Sequence, residues 1–339
     1  MAVEVAPIRA TAPRGAGDAR RAGLAVLLTL AAVALVIRVL DPERTAWLQN
    51  LLIVFGSLLV EAMPFILLGA AVSAAIEVLV PSSAFAKLGT LPRPLQLPAA
   101  AAAGMAFPVC ECGSVPVARR LASKGLAPSA AITFMLAAPI VNPVVIASTF
   151  VAYRGRDILG VMVVGRLVLG FVVAMVVGWV VGTLRADQLL RPRSGALEVH
   201  DGPEQEPRSS RFFAHLSGDV VFMARFLIVG AAIAAAVQTF VPQSIVDRVA
   251  HLPILSLVAM MGLAFLMSLC SESDAFVAAS FVAFGPAAQL AFLVSGPMID
   301  MKLGALYLGT YRKGFLRTAT IAIFATTLVL TLWVQVVFG

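Results

Sequence analysis

Apolar runs long enough to cross a bilayer recur along the chain, near residues 23–40, 48–80, 127–150, 158–184, 217–241, 286–310 and 316–338. Each run predicts a transmembrane helix, because about 20 apolar residues rising 1.5 Å apiece match the ~30 Å hydrocarbon layer. Short alternating segments of the kind a membrane β-barrel needs do not occur. Between the runs lie two polar interruptions that arrive where hydrocarbon should continue: PVCECGSVP at Pro108–Pro116 and SLCSESDAF at Ser268–Phe276. The pattern predicts an all-α polytopic membrane protein with helices broken at membrane depth.

The interruptions belong to a duplication. MPFILLGAAVSAAIEVLVP (Met63–Pro81) and ARFLIVGAAIAAAVQTFVP (Ala224–Pro242) keep the same Phe, Gly, Ala pairs and closing Val-Pro. Further on, Cys112 falls over Cys270, Pro128 over Pro286, Phe134 over Phe292, Pro139 over Pro297 and Asn142 over Asp300. Duplicated bundles with breaks at matching depth are how many secondary transporters build a substrate site. Backbone broken inside lipid leaves N–H and C=O groups without partners, at several kcal/mol each, so the two breaks are expected to face each other in the interior. The small-residue run Ala99–Gly104 would let helices approach closely enough to enclose them.

Charge then orients the chain. With the tail bearing Arg9, Arg14, Arg20 and Arg21 in the cytoplasm, Lys87 and Arg93 fall inside; if Ala99–Lys124 enters the membrane and returns through breaks at Pro108, Gly113 and Pro116, the loop with Arg154 and Arg156 falls outside and the linker inside. Arg312, Lys313 and Arg317 also fall inside; Arg154 and Arg156 depart from the positive-inside rule. On this path the first copy starts inward and the second outward, which makes the repeats inverted; counting each hairpin as two full crossings would make them parallel. The expected organisation is a cytoplasmic tail at 1–22, an extra N-terminal helix and loop at 23–47, a first repeat at 48–184, a cytoplasmic linker at 185–216 and a second repeat at 217–339. The run Leu24–Ile37 is followed by Arg38 and Leu40 rather than a small-residue cleavage site, so it reads as an anchor and not a secretory signal.

Composition changes this picture little. The chain is 60% hydrophobic and 13% charged, and its net charge of +7 sits at segment ends, which fits a membrane surface and not a nucleic-acid partner. His200 and His215 in the linker and His251 in a loop read as solvated side chains, so no resident metal or cofactor is expected. Met260, Met261 and Met267 read as core filler. No GxxxxGK[ST] loop occurs, so transport energy would come from a gradient or a partner.

All three cysteines lie at the breaks. Cys110 and Cys112 flank Glu111; in a broken segment that spacing turns both sulfurs to one side, whereas on a regular helix they would diverge. Zinc and dithiol centres favour CxxC, so the spacing is weak evidence for either. Cys112 and Cys270 each precede residues able to present half-helix amides, Gly113 and Ser114 in one copy and Ser271, Glu272, Ser273 and Asp274 in the other. Two thiols converging from opposite repeats would bind a soft, thiophilic centre. Glu61, Glu111, Glu272, Asp274 and Asp300 are ionisable groups at membrane depth, which line pathways or pair with a partner. Glu61 could pair with Arg225 or Arg166, and Asp300 with Lys302 or Arg119. Asn142 and Asp300 mark a second matched break.

At these residues the chain resembles the bacterial permease family that includes the ArsP-type organoarsenical efflux permeases and the YraQ proteins. The resemblance rests on PVCECGSVPVARRLASKG (Pro108–Gly125), FMLAAPIVNPVV (Phe134–Val145) and LCSESDAFVAASF (Leu269–Phe281), and covers nearly all of the chain after about residue 50. It implies a multi-pass permease of the bacterial cytoplasmic membrane and, as for characterised members, export of trivalent organoarsenicals such as methylarsenite. The leading expectation is a secondary efflux permease, not an enzyme, whose partners are a small thiophilic solute and the lipid bilayer. Cys112 and Cys270 would be ligands and Cys110 an exchange partner, Gly113, Ser114, Ser271, Asn142 and Asp300 would line the site, and Glu111, Glu272 or Asp274 would carry a coupling proton. Another soft metal or a sulfur-containing compound as solute, a thiol oxidoreductase cycling Cys110 and Cys112, and a scaffold or pore subunit are the alternatives; self-association as a homo-oligomer is left open.

Overall fold

The computed structural model describes residues 46–79, 92–105, 109–182, 189, 207–240 and 253–338. The tail expected at 1–22, all but the last two residues of the extra helix and loop expected at 23–47, most of the linker, Lys87, Pro108, His200, Arg248 and His251 lie outside the described residues. Residues 1–50 and 51–339 separate into two compact units. Of the first unit, only the opening turn of one helix is described, and all the remaining described residues belong to the second.

Among the described residues there are twelve helices and no strand: α1 (Ala46–Leu79), α2 (Arg93–Ala103), α3 (Glu111–Ser123), α4 (Pro128–Val141), α5 (Pro143–Ala152), α6 (Leu159–Val181), α7 (Arg208–Phe240), α8 (Pro253–Met267), α9 (Asp274–Ser280), α10 (Pro286–Ser295), α11 (Met301–Thr310) and α12 (Lys313–Phe338). The second six repeat the order of the first six. Helices α4 and α10 both open on a proline in the first turn, where its missing N–H costs nothing. Helices α5 and α11 are both capped by the side chain of the preceding residue: Asn142 accepts from the Val144 amide and Asp300 from the Leu303 amide. Packing repeats as well. Helix α4 lies against α2, α3 and α6, and α10 lies against α8, α9 and α12. Between the halves the contacts are reciprocal, α3 with α11 and α9 with α5, while α6 meets α12.

Exposure is distributed as a bilayer requires. Five helical stretches are long and apolar enough to span: Trp47–Leu79, Pro128–Ala152, Leu159–Val181, Arg208–Thr239 and Lys313–Val337. Protein covers 78% of the most apolar window of Pro128–Ala152 but 17% of those of Trp47–Leu79 and Lys313–Val337, so α4 and α5 are central while α1 and α12 form the apolar rim. On that rim Val60, Trp333 and Val336 are 75%, 70% and 84% exposed, whereas Arg166 and Lys302 inside are 2% and 1% exposed. An exterior that is apolar and an interior that holds the charge is the reverse of a water-soluble protein, and acyl chains supply the missing apolar environment.

Three expectations are corrected by the structure. Gly113 and Pro116 do not break the chain; both lie inside α3, and the non-helical residues there are Val109 and Cys110. The apolar run 286–310 is not one helix: residues 296–300 separate α10 from α11. Helix α7 starts at Arg208, so the stretch 208–216 continues a membrane helix instead of belonging to a flexible connection.

Close approach is built with glycine. A Cβ added to Gly69 of α1 would run into the backbone of Gly113, and one added to Gly113 would stand 3.0 Å from the Gly69 Cα, so α1 and α3 touch backbone to backbone beside Cys112. The Ala99–Gly104 run does the same for α2: a Cβ on Gly104 would stand 2.7 Å from the Ala138 Cα of α4.

Candidate functional site

The two breaks meet. In the first half the chain is extended through Cys110, which caps α3, and Cys112 sits in that helix's first turn. In the second half α8 ends at Met267, the next residue, Ser268, has the left-handed φ of 49° that closes a helix, and the chain passes through Cys270 before α9 begins at Asp274. The Ser271 hydroxyl and amide both donate to Glu111 Oε2, at 3.0 and 3.4 Å, across 160 residues of sequence. Within each half, the first break is tied to the second. Asn142 Nδ2 donates to the Val109 carbonyl at 3.5 Å, and the Met301 amide donates to Ser268 Oγ at 3.2 Å. The starts of α3, α5, α9 and α11 therefore converge on one small buried volume.

The sulfurs lie in that volume. Cys110, Cys112 and Cys270 are free thiols, all buried, with exposures of 0%, 1% and 0%. Cys110 and Cys112 flank Glu111, whose Oε2 takes the two bonds from Ser271, the residue next to Cys270, so the three thiols border the same junction. The first half's CxC thus turns both sulfurs inward because Cys110 is extended and Cys112 is helical. Among the described residues no three His, Cys, Asp or Glu side chains form a group able to hold a metal ion. With all three thiols covered, a solute reaches them only when helices part.

Charge surrounds the thiols unevenly. The first half contributes Glu111, 1% exposed, with Oε1 unpartnered. The second contributes Glu272, Asp274, Asp300 and Lys302. Asp274 is held by Arg166 of α6, whose Nη2 reaches its Oδ2 at 2.8 Å and the Ser271 carbonyl at 3.0 Å while Nη1 donates to Thr149 Oγ1 at 2.9 Å. Glu272 is half-buried, and the Ser271 hydroxyl lies 3.4 Å from its Oε2. Asp300 uses Oδ1 to cap α11 and leaves Oδ2 unpartnered. Lys302 Nζ points to Cys270 Sγ at 4.0 Å. Gly113 is spent on the contact with α1, and Ser114 closes its own turn, its amide on the Cys110 carbonyl at 3.0 Å and its hydroxyl on the Glu111 carbonyl at 2.9 Å. Pro116 has no N–H to offer the Cys112 carbonyl.

One pairing differs from expectation and one keeps an expected partner. Glu61 takes neither arginine: Ser273 Oγ donates to its Oε1 at 2.6 Å, Arg166 is engaged with Asp274, and Arg225 lies over the rings of Phe222 and Phe226 at 4.8 and 4.9 Å. Arg119 lies 6.0 Å from the Phe222 ring centre, and the group facing Asp300 is Lys302.

A second polar cluster escaped the sequence reading. Arg120 of α3 reaches Glu77 Oε2 of α1 at 3.2 Å and Asp219 Oδ2 of α7 at 3.3 Å; Ser73 also donates to Asp219, at 2.8 Å. Lys124 donates to the Ile76 and Glu77 carbonyls at the end of α1, at 3.0 and 2.8 Å, and lies 3.7 Å from Glu77 Oε1. His215, read as solvated, is 2% exposed and sits 3.3 Å from Arg120 Nη2. Because a guanidinium only donates, His215 Nδ1 accepts and its proton is on Nε2. The helical start at Arg208 places His215 and Asp219 four residues apart on one face of α7, a spacing visible in the sequence once 208–216 is read as helix.

Fold and interior together define a multi-pass helical membrane protein whose polar, sulfur-bearing centre lies where two sets of interrupted helices meet. Residues 47–336 match the family described as "Predicted permease" (ArsP_1), and the chain belongs to that family. It is 37% identical over 264 residues to "UPF0718 protein YcgR" of Bacillus subtilis (strain 168), covering 77% of this chain and 89% of that one. It is 36% identical over 254 residues to a "Putative two-component membrane permease complex subunit" of Streptococcus mutans serotype c (strain ATCC 700610 / UA159), covering 74% and 83%. No solved structure matches the chain at a significant level.

Proposed function

We propose that the protein is a secondary-active efflux permease of the bacterial cytoplasmic membrane for trivalent organoarsenicals or a similar thiophilic solute. The single observation that carries this reading is the convergence of Cys110, Cys112 and Cys270, from both halves, at a buried junction with an unpartnered carboxylate oxygen. A trivalent arsenical is neutral near pH 7 and exchanges between thiols. Two sulfurs capture it, and a third sulfur or a competing proton releases it, so three thiols and Glu111 are a sufficient set. Inverted repeats explain how the site would open to either side in turn: α3 leans on α11 and α9 on α5, so rocking one half against the other loosens one contact as it tightens its counterpart. Glu111 and Glu272 carry the coupling proton in this reading, while Asp274, held by Arg166, organises the second break. The covered thiols correspond to an occluded state.

Transport into everted membrane vesicles tests it. Wild type accumulates methylarsenite under a proton gradient, and Cys112→Ser/Cys270→Ser at equal abundance does not. Uptake by the double variant equal to wild type would remove the sulfur mechanism. Uptake by wild type no greater than by empty vesicles, across a panel of arsenicals, would remove the substrate class.

The Streptococcus relative's name favours a second reading of the assembly, in which the permease works with another subunit. Vesicles containing only this chain, made from purified protein, separate the two: full transport there means that no second subunit is needed.

A further inference from the structure

We propose that the furrow between α6, α10 and α12 binds one anionic phospholipid, whose acyl chain fills it and whose phosphate meets Arg154 and Arg156. The inference is independent of the thiols and of the solute they would take. The furrow encloses about 400 Å³, and every side chain that lines it is apolar. Gly160, Val164 and Val168 lie on one row of α6, since residues four apart are neighbours on a helix surface. Val334 of α12 lines the furrow as well, and Leu290 of α10, 0% exposed, closes its floor. A Cβ on Gly165 would stand 2.8 Å from Leu290 Cδ1, so α6 and α10 meet there without a gap. A Cβ on Gly160, by contrast, would meet nothing within 4 Å. Val164 and Val168 are 61% and 48% exposed, which opens the furrow to the surrounding lipid.

Its dimensions select the occupant. From Gly160 to Val168 the helix rises about 12 Å, close to the ~15 Å of hydrocarbon in one leaflet. A partner's transmembrane helix would run on for about twice that depth. A volume of about 400 Å³ over about 12 Å leaves a mean cross-section of roughly 30 Å², against ~80 Å² for a helix about 10 Å across. The furrow therefore suits an unbranched acyl chain and is too narrow for a helix. At the Gly160 end the chain passes from α5 to α6 through Arg154, Arg156 and Asp157, all exposed, with two positive charges and one negative. The Leu159 amide donates to the Arg156 carbonyl at 3.1 Å, so this loop sits on the first turn of α6, where the furrow begins. Arg154 and Arg156 are the arginines that depart from the positive-inside rule, and a lipid phosphate supplies their counter-charge. Helix α6 belongs to the first six helices and α10 and α12 to the second six, so the furrow lies on the seam between the halves. A lipid seated there touches both halves at once and favours this arrangement of them.

The test uses full-length protein, stripped of lipid in detergent and titrated with phosphatidylglycerol or with phosphatidylcholine of the same chains. Native mass spectrometry counts bound lipid, and thermal unfolding reports its effect. One phosphatidylglycerol should stay bound per chain and raise the unfolding temperature, with phosphatidylcholine held more weakly. Arg156 is partly committed to the Ala279 carbonyl, at 2.8 Å, so Arg154 is the residue to vary. An arginine beside an anionic headgroup strengthens binding about fivefold, and Arg154→Gln should reduce the preference by about that factor. Gly160→Leu puts a side chain into the open space; it should unfold like wild type without lipid and lose both the bound lipid and the thermal gain. Val164→Trp, on the same row, is a second obstruction. Equal retention of the two lipids, or phosphatidylglycerol held undiminished by both Gly160→Leu and Val164→Trp, would overturn the site. So would glycerol phosphate raising the unfolding temperature as far as phosphatidylglycerol, which would leave only a surface anion contact. A dimer that Gly160→Leu converts to monomer would also overturn it, by giving the furrow to a second copy of the chain.

Discussion

Replacing Arg166 by methionine keeps most of the side-chain volume in α6 and removes its charge. Three acceptors lose their donor: Asp274 Oδ2 at 2.8 Å, Thr149 Oγ1 at 2.9 Å and the Ser271 carbonyl at 3.0 Å. The side chains of Arg166 and Asp274 are 2% and 3% exposed, so water cannot replace the lost partner. Breaking a buried ion pair from one side costs about 3–5 kcal/mol, because the remaining charge is left without compensation. Removing both charges costs far less and is often neutral. Arg166→Met should thus be destabilised by about 3–5 kcal/mol, and Arg166→Met/Asp274→Leu should recover most of that. Unfolding in mixed micelles, followed by circular dichroism for all four members of the cycle, gives the coupling directly. A single variant within about 1 kcal/mol of wild type, or a double variant no more stable than the single, would refute the claim that this pair anchors the second break.

Gly69→Ala or Gly113→Ala should force α1 away from α3 and cost about 1–3 kcal/mol, read as lowered thermal stability in detergent; equal stability would mean that the helices do not touch there. Asp300→Asn keeps an acceptor for the Leu303 amide and should hold stability, whereas Asp300→Ala loses the cap and about 0.5–2 kcal/mol, and the same difference is expected between wild type and Asn142→Ala. Asp219→Ala removes the acceptor shared by Ser73 and Arg120 and should cost about 1.5–3 kcal/mol in the same assay.

Much of this architecture was legible because lipid leaves the backbone few choices. Runs of apolar residues must be helical, and the matched Asn142 and Asp300, each three residues after a proline, mark where a new helix starts and is capped. Polar partners were harder to foresee. Glu61 is answered by a serine 212 residues away instead of an arginine, and Arg120 by an aspartate 99 residues away. Nothing in local spacing encodes such pairs. The polar, arginine-rich composition of 208–216 resembles a connector, and only the contacts of His215 and Asp219 with Arg120 and Ser73 show why a helix there tolerates them. At the breaks, Pro116 misleads because a proline near a helix start removes a single hydrogen bond, a loss that α3 survives.

The central claim is that thiols from the two halves form one solute site. Purified protein in nanodiscs, treated with one equivalent of a monosubstituted trivalent arsenical, digested without reductant and analysed by mass spectrometry, tests that claim most directly. The account predicts an arsenic-bridged peptide pair joining the segment that carries Cys110 and Cys112 to the segment that carries Cys270. Arsenic bound within the Cys110–Cys112 segment alone, with Cys270 recovered as the free thiol, would contradict it.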